Sequence, residues 1–202
     1  MSITKVTDRL FLAYIEAKLD IDGSVRPNDL RCQFKMDRGK ASKLIKRYCE
    51  DQLTADNIKY KENGRHSNYI RTSTFKRQIL MSLSPQMFLS SILEVYGDSG
   101  SSTKDVYLKY IDAYVELHEI ISPITIANQF GMHRSRAGHV LKAYKEDRDS
   151  CANLRYHLQG QMSCYRKTTI FKRYYLPKDI SALKFLTAID DLFGPEKLAP
   201  SY

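Results

Sequence analysis

The sequence predicts a mainly α fold with small β-hairpins (α+β class), built twice along one chain. Three observations carry this prediction. Two helical segments with an apolar stripe and a basic outer face lie about 96 residues apart, and a short alternating segment with a glycine turn follows each of them. The chain around them aligns with itself at the same offset without a gap. With 202 residues and 43% hydrophobic content, two small packed cores are possible.

Internal similarity relates residues 7–80 to residues 103–176, with roughly two dozen identities over about 74 positions, several times the number expected by chance. Identical residues fall at turns and on basic surfaces as well as at apolar positions, so we expect both copies to keep one architecture. The pairs include Phe34 and Phe130, Arg38 and Arg134, Tyr48 and Tyr144, Asn57 and Asn153, and Gly64 and Gly160.

The first two helices of each copy are predicted from periodicity and caps. Helix one spans about Thr7 to Lys18, where apolar residues recur at helical spacing and the threonine can cap the first turn. A loop follows over residues 20–24. Pro27 then begins a second short helix, because its fixed φ suits a first helical turn. The second copy gives this signal more clearly, since a serine precedes the matching Pro123.

The third helix of each copy is predicted to be amphipathic, with a basic outer face. Asp37 can cap it in the first copy, and its inner stripe consists of Ala41, Leu44, Ile45 and Tyr48. The candidate DNA-binding residues of this helix are Arg38, Lys40, Ser42, Lys43, Lys46 and Arg47. Those of the second copy are His133, Arg134, Ser135, Arg136, His139 and Lys142. A short helix of this kind suits the major groove of DNA.

A β-hairpin is predicted after each third helix. In the first copy a strand over residues 57–61 is followed by a turn at 62–64 and a return strand over 65–72, because Asn-Gly favours the positive φ that such turns need. Three helices followed by a hairpin are typical of a winged helix-turn-helix. Residues near the wing tips are predicted to contact phosphates or a minor groove, or else to be solvated turn residues. They are Lys61, Asn63 and Arg65 in the first copy and Gln159 and Gln161 in the second.

An amphipathic helix is predicted beyond each wing, over about Pro85 to Tyr96 and about Lys178 to Phe193. The sequence leaves open whether such a helix packs on its own domain, joins the two domains or pairs two chains. Gly97 to Ser102 has the composition of a flexible linker. The predicted organisation is therefore a first winged-helix repeat at 1–97, a linker at 98–103, a second repeat at 104–194 and a tail at 195–202.

Charge and composition favour a polyanionic partner. The chain has 32 Lys+Arg against 23 Asp+Glu, a formal charge of +9 and a pI near 9.3, although a soluble basic protein without such a partner would also fit. Neither a membrane span nor a signal peptide is expected, which predicts a cytoplasmic, nucleoid-associated protein. The four cysteines form no C-x-x-C pair and no histidine cluster completes a zinc site, so neither a metal, nor a cofactor, nor a disulfide is predicted.

A family resemblance follows from the third helix and the wing. The order Phe-x-Met-Asp-x-x-x-Ala-Ser, followed by Tyr48, Asn57, Tyr60 and Phe75, resembles the N-terminal winged helix of WYL-domain transcriptional repressors found near bacterial phage-defence genes. The second copy matches at Ala137, Tyr144, Asn153 and Tyr156, with Gly138 in place of the serine. The resemblance covers about 75 residues per copy and implies DNA binding by the third helix. A WYL ligand-sensing domain is not expected, because the second copy occupies its place.

No group of residues predicts catalysis. Acid pairs at 50–51 and 146–147 directly follow the third helices, where solvated acids or caps are expected, and no G-x-x-x-x-G-K-[ST] loop is present. His133 and His139 have no nucleophile at a suitable position, and His133 is expected to cap its helix or to contact phosphate. The recurring tyrosines are expected in the core rather than as base-stacking surfaces. They are Tyr14, Tyr48, Tyr60, Tyr69 and their counterparts.

The leading hypothesis is a sequence-specific double-stranded DNA-binding protein of bacterial or mobile-element type that regulates transcription. Its two third helices differ at most outward positions, for instance Gly39 against Ser135 and Lys43 against His139, so one chain is predicted to bind two dissimilar half-sites as a covalent pseudo-dimer. Two alternatives remain: an accessory protein for the origin, partition or transfer site of a mobile element, and a winged-helix protein–protein interaction module. Self-association through the trailing helices, contact with the transcription machinery, and activation versus repression are left open.

Overall fold

The computed structural model describes residues 6–63, 66–159 and 162–194; the side chains of residues 63, 66, 67, 159 and 162 lie outside the description. The chain divides into two compact units between Ser102 and Thr103. Each unit contains helices and one small antiparallel sheet, which confirms the predicted α+β class. No helix among these residues is long and apolar enough to cross a membrane.

The first unit begins with two helices that are separated by a two-residue strand, and a hairpin and a final helix follow its third helix. Its elements are α1 (Val6–Asp22), β1 (Ser24–Val25), α2 (Pro27–Phe34), α3 (Arg38–Glu50), β2 (Ile58–Asn63), β3 (His66–Arg71) and α4 (Pro85–Tyr96). The strands form an antiparallel sheet in the order β1-β3-β2. A single 3-10 turn (Ala55–Asn57) leads from α3 into the hairpin.

The second unit has the same order of elements. They are α5 (Thr103–His118), β4 (Ile120–Ile121), α6 (Pro123–Phe130), α7 (Arg134–Glu146), β5 (Leu154–Gln159), β6 (Met162–Lys167) and α8 (Ala182–Phe193). The strand order β4-β6-β5 corresponds to that of the first unit. In both units, therefore, a helix-turn-helix is flanked by a three-stranded sheet, as a winged helix requires.

The predicted caps are confirmed where a local hydrogen bond determines them. The backbone N–H of Lys40 donates to Asp37 Oδ1 at 2.7 Å, and the N–H of Thr125 donates to Ser122 Oγ at 3.2 Å. His133 is the N-cap of α7, where its Nδ1 accepts from the N–H of Ser135. Pro27 and Pro123 occupy the first turns of α2 and α6, as predicted.

Several predicted boundaries were wrong. Helix α1 already contains Thr7, which therefore lies within the first turn and is not its cap. The helix continues to Asp22 because Leu19 is buried and Asp22 pairs with Lys18 one turn earlier. Helix α8 begins only at Ala182, since Ser181 caps it there.

The hairpin strands extend further than the sequence pattern predicts. Glu62 and Asn63, which were assigned to a turn, pair with Ser67 and His66 in the β2–β3 ladder. Strands β1 and β4 were not predicted, because two residues are too short to show an alternating pattern. They add a third strand to each sheet by pairing with β3 and β6.

The trailing helices pack within their own units. Tyr96 of α4 contacts Phe34 of α2 with a ring separation of 4.8 Å, and Phe193 of α8 contacts Phe130 of α6 at 4.9 Å. These edge-to-face aromatic contacts extend the cores formed by α1 and α2 or by α5 and α6. The apolar inner faces of α4 and α8 therefore cover the core of their own unit.

The segment after α4 is attached to α2, although its composition predicted a flexible linker. The amide of Gln33 donates to Gly97 O at 3.1 Å, and the N–H of Ser101 donates to Gln33 O at 3.2 Å. Gly100 has φ +72°, and an added Cβ would lie 1.9 Å from the carbonyl oxygen of Cys32. Only glycine therefore fits this close approach.

Candidate nucleic-acid interface

Helix α3 presents a basic outer face. Its apolar stripe of Ala41, Leu44, Ile45 and Tyr48 is buried, whereas Arg38, Gly39, Lys40, Lys43 and Lys46 are exposed and Ser42 is half-buried. The stripe follows from the helical spacing, and the burial of Tyr48 places the opposite residues outward. Of the six predicted DNA-binding residues of α3, all but Arg47 therefore lie on one accessible surface, with the half-buried Ser42 at its edge.

Arg47 and Lys40 also contact α1. The Arg47 guanidinium lies 3.3 Å from Asp8 Oδ2 and is half-buried, so it braces α3 against the start of α1. The Lys40 ammonium lies 5.0 Å from the centre of the Phe11 ring, a cation–π contact that leaves the side chain exposed. Lys46 pairs with Glu50 at 3.5 Å on the surface, where such a pair is weak and easily exchanged for a phosphate.

Helix α7 presents the corresponding face of the second unit. Ala137, Leu141 and Tyr144 are buried. The predicted DNA-binding residues His133, Arg134, Ser135, Arg136, His139 and Lys142 are all exposed. Lys142 pairs with Glu146 at 3.6 Å, matching the Lys46–Glu50 pair of α3. Both units therefore carry an accessible cationic helix of the same length.

The acids after these helices serve as turn acceptors. Asp51 Oδ1 accepts from the N–H of Leu53 at 3.0 Å, and Asp147 Oδ1 accepts from the N–H of Asp149 at the same distance. This agrees with the predicted capping role. Among the described residues, no group of three or more His, Cys, Asp or Glu side chains could hold a metal ion.

The wings are described only in part. Lys61 is exposed on β2. Arg65 and Gln161, and the side chains of Asn63 and Gln159, lie outside the described residues, so their predicted contacts stay predictions.

One of the tyrosine predictions was wrong. Tyr14, Tyr48, Tyr110 and Tyr144 are core residues as expected, but Tyr60 is 56% exposed and its counterpart Tyr156 is 54% exposed. The alternating strand pattern places them on the side of the buried Ile58, yet the hairpin continues past the region that the helices cover.

A buried carboxylate behind α3 was not found by sequence reasoning. Glu16 of α1 is fully buried and accepts the backbone N–H groups of Gln78, Ile79 and Leu80 at 2.9–3.2 Å. It also accepts the Tyr48 hydroxyl at 3.2 Å. One side chain therefore joins α1, α3 and the segment that follows the wing.

Asp112 forms the same network in the second unit. Its Oδ2 accepts the N–H groups of Tyr174, Tyr175 and Leu176 at 2.5–3.0 Å, and its Oδ1 accepts the Tyr144 hydroxyl at 2.6 Å. Burial, reinforced by these carboxylates, raises the pKa of both tyrosines, so that each hydroxyl stays protonated and donates.

An asparagine extends each network to the wing. Asn57 Nδ2 donates to the Tyr48 hydroxyl and to Lys76 O, while its Oδ1 accepts the N–H of Lys76. Asn153 makes the same three contacts with Tyr144 and Lys172. One signal for the networks was available in the sequence: an acid stands before the alanine of the Leu-x-Tyr-Ile-x-Ala pattern in both copies, on the inner face of the helix.

Comparison with known proteins agrees with this geometry. A family model described as the BrxR transcriptional regulator winged helix-turn-helix domain matches residues 7–92, a segment that contains α1 to α3, the wing and most of α4. Neither the curated proteins nor the solved structures contain a significant match. The first unit is thus similar to the winged helix-turn-helix domain of BrxR transcriptional regulators.

Proposed function

We propose that this chain regulates transcription by binding double-stranded DNA with two unequal recognition helices, α3 and α7. The observation that carries the proposal is that both units hold a capped helix with a buried stripe and an exposed basic face at matching positions. A helix of this size and charge fits the major groove, where side chains reach base edges and phosphates. The similarity of the first unit to the winged helix-turn-helix of transcriptional regulators supports the same function.

The differences between the two faces suggest recognition of an asymmetric site. Lys43 of α3 corresponds to His139 of α7, and Lys40 corresponds to Arg136. Arginine can bind guanine O6 and N7 with two hydrogen bonds, whereas lysine offers a point charge, so different bases would be preferred at matching positions of the half-sites.

An internal duplication would account for both the likeness and the difference. The elements of the two units occur in the same order at an offset of about 96 residues, and the buried networks of Glu16 and Asp112 are equivalent. A covalent pair of this kind would replace the two protomers of a symmetric regulator. Its half-sites are then expected about 34 Å apart along the duplex, one helical turn, or a multiple of that spacing.

The experiment is selection of bound sequences from random duplex DNA by the full chain, followed by footprinting on the selected site. We expect a bipartite motif with two dissimilar halves and protection over both. Lys43→Ala should relax sequence preference in one half only, and His139→Ala in the other. A lack of enrichment would contradict DNA recognition and favour a protein-binding module. Protection of one half alone would contradict the two-helix arrangement.

The genomic position of the selected motif separates two kinds of DNA-binding protein. A motif within a promoter, together with a change of transcript level when the chain is present, would support a regulator. Iterated motifs at a replication origin or transfer site would instead support an accessory protein of a mobile element.

A further inference from the structure

An exposed tyrosine occupies the same place in both wings. Tyr60 lies directly across the ladder from Tyr69, and Tyr156 lies directly across from Tyr165. The rings of each pair meet edge to face, 5.4 Å apart in the first unit and 5.8 Å apart in the second. The inner tyrosines are half-buried, whereas the outer ones expose more than half of their surface.

These rings lie on the side of the wing that borders the recognition helix. Ile58 shares that strand face and is buried, and burial raises the pKa of the Tyr69 hydroxyl, with a smaller contribution from nearby Cys49 in the last turn of α3. In the second unit, Lys145 of α7 donates to Leu154 O at 2.5 Å, two residues before Tyr156. Each outer tyrosine therefore continues the strand face whose first residue, Ile58 or Leu154, is buried.

The side chain of an exposed tyrosine suits the backbone of DNA. Exposed Lys59 and Lys61 precede and follow Tyr60 on β2, and exposed Arg155 precedes Tyr156 on β5; these basic side chains point to the opposite face of the same strand. A tyrosine hydroxyl donates one hydrogen bond without carrying charge, and its ring offers apolar surface to a deoxyribose. Since phosphates and sugars are alike at every base pair, such a contact would persist while the base-reading positions diverge.

We infer that Tyr60 and Tyr156 are DNA-backbone contacts. Each hydroxyl donates to a phosphate oxygen beside the half-site that its own recognition helix reads, and thereby positions that helix independently of sequence. This inference rests on the proposed function, because it assumes that α3 and α7 enter DNA grooves. It adds a neutral backbone contact, common to the two units, to the charged residues predicted from the sequence.

The test compares Tyr60→Phe, Tyr156→Phe and the double variant with the unaltered chain. Phenylalanine keeps the ring pair and removes the hydroxyl; in the second wing this also removes the exposed contact between the Tyr156 hydroxyl and Ser163 Oγ at 3.2 Å, so only a small change in melting temperature is expected. Kd is measured on the selected site and on an unrelated duplex over a range of salt concentrations. Each single variant should weaken binding to both duplexes by about fivefold, and the double variant by about 25-fold.

The salt dependence separates this contact from a charged one. The Tyr→Phe variants should leave the slope of log K against log salt unchanged, because a neutral hydroxyl releases no counterion. Lys61→Ala is the charged comparison and should reduce the slope by about one. Tyr174→Phe is the matched control, since this tyrosine is also about half exposed and its hydroxyl has a side-chain partner, Asp149, but it lies outside both α7 and the wing; we expect the Kd of this variant to be unchanged.

Three outcomes would overturn the inference: unchanged affinity of the double variant, a loss confined to the selected site, or a changed salt slope. Its failure can be told apart from failure of the proposed function. If the unaltered chain shows no salt-dependent DNA binding, the proposed function itself is wrong. If that chain binds and the double variant binds equally well, only the assignment of the two tyrosines is wrong.

Discussion

The two units differ more on the outer surfaces of α3 and α7 than in the buried networks on the inner side of these helices. Behind α3 and α7, a buried carboxylate accepts three consecutive backbone N–H groups and one tyrosine hydroxyl in each unit, although the first unit uses Glu16 and the second Asp112. On the outer faces, Gly39 is replaced by Ser135 and Lys43 by His139. The buried network is the same in both units, and the surface that would meet a ligand differs between them.

Glu16 and Asp112 differ in side-chain length, and the two networks accommodate this difference by using the carboxylate oxygens differently. The longer Glu16 uses both oxygens for the N–H groups of Gln78 and Ile79. The shorter Asp112 uses one oxygen for all three N–H groups and the other for the Tyr144 hydroxyl. Both units therefore have an acidic side chain that accepts the same set of donors, and without it several buried N–H groups would lack an acceptor, which is costly.

The largest expected effect comes from removing this acid. Glu16→Ala and Asp112→Ala should each lower the free energy of unfolding of their unit by about 3–5 kcal/mol, because buried donors lose their acceptor. Urea unfolding followed by circular dichroism measures this. The matched exchanges Glu16→Asp and Asp112→Glu should cost less, and equal costs for the alanine and acid variants would contradict the network as the reason.

Substitution on the outer faces should act on DNA and not on folding. Lys43→Ala and His139→Ala should each cost about 1–3 kcal/mol of binding and relax preference at their own half-site, while the unfolding transition stays in place. Binding assays on sites altered in one half measure this. If either variant changed preference in both halves, the units would not read separate half-sites.

The N-caps offer a smaller contrast between the units. Asp37→Ala should destabilise the first unit by about 1 kcal/mol, since its oxygen accepts the N–H of Lys40. His133→Ala should cost the second unit less, because histidine is not a preferred cap and its contact to Ser135 is longer, at 3.3 Å. Thermal unfolding of the two variants compares them, and a larger loss from His133→Ala would reverse the expected order.

The smallest effect concerns Tyr48 and Tyr144 in alkaline solution. Burial raises the pKa of both hydroxyls, so the folded chain keeps protons that the unfolded chain loses near pH 10. Their contribution to stability is complete below that pH and declines as the pH rises, by about 0.4 kcal/mol for each tyrosine at pH 10. Unfolding between pH 8 and pH 11 tests this, and Tyr48→Phe or Tyr144→Phe should make the decline shallower.

Local signals predicted most of the fold and of the candidate interface. The spacing of Ala41, Leu44 and Tyr48 identified the inner stripe of α3, and Asp37 marked its start. The exposed basic face then followed from helical geometry alone. These predictions succeeded because the determining interactions join residues at most one or two helical turns apart.

Where distant residues decide the outcome, the sequence was insufficient. Tyr60 lies in a segment with the alternating pattern of a half-buried strand, which predicts a buried side chain. It is exposed because the hairpin extends beyond the helices that cover Ile58. The segment at 97–101 has a linker composition, yet contacts with Gln33 and Cys32 attach it to α2. Neither result follows from composition, because both depend on which surface lies opposite.

The sequence by itself determined that the chain forms two similar sets of helices and hairpins with basic third helices, since caps, periodicity and internal similarity act over short distances. Only the tertiary structure decided what holds those helices. Glu16 and Asp112 lie on helical faces that look merely amphipathic in the sequence. Their partners at Gln78 and Tyr174 are more than 60 residues away along the chain, and chain folding alone brings those N–H groups to the carboxylates.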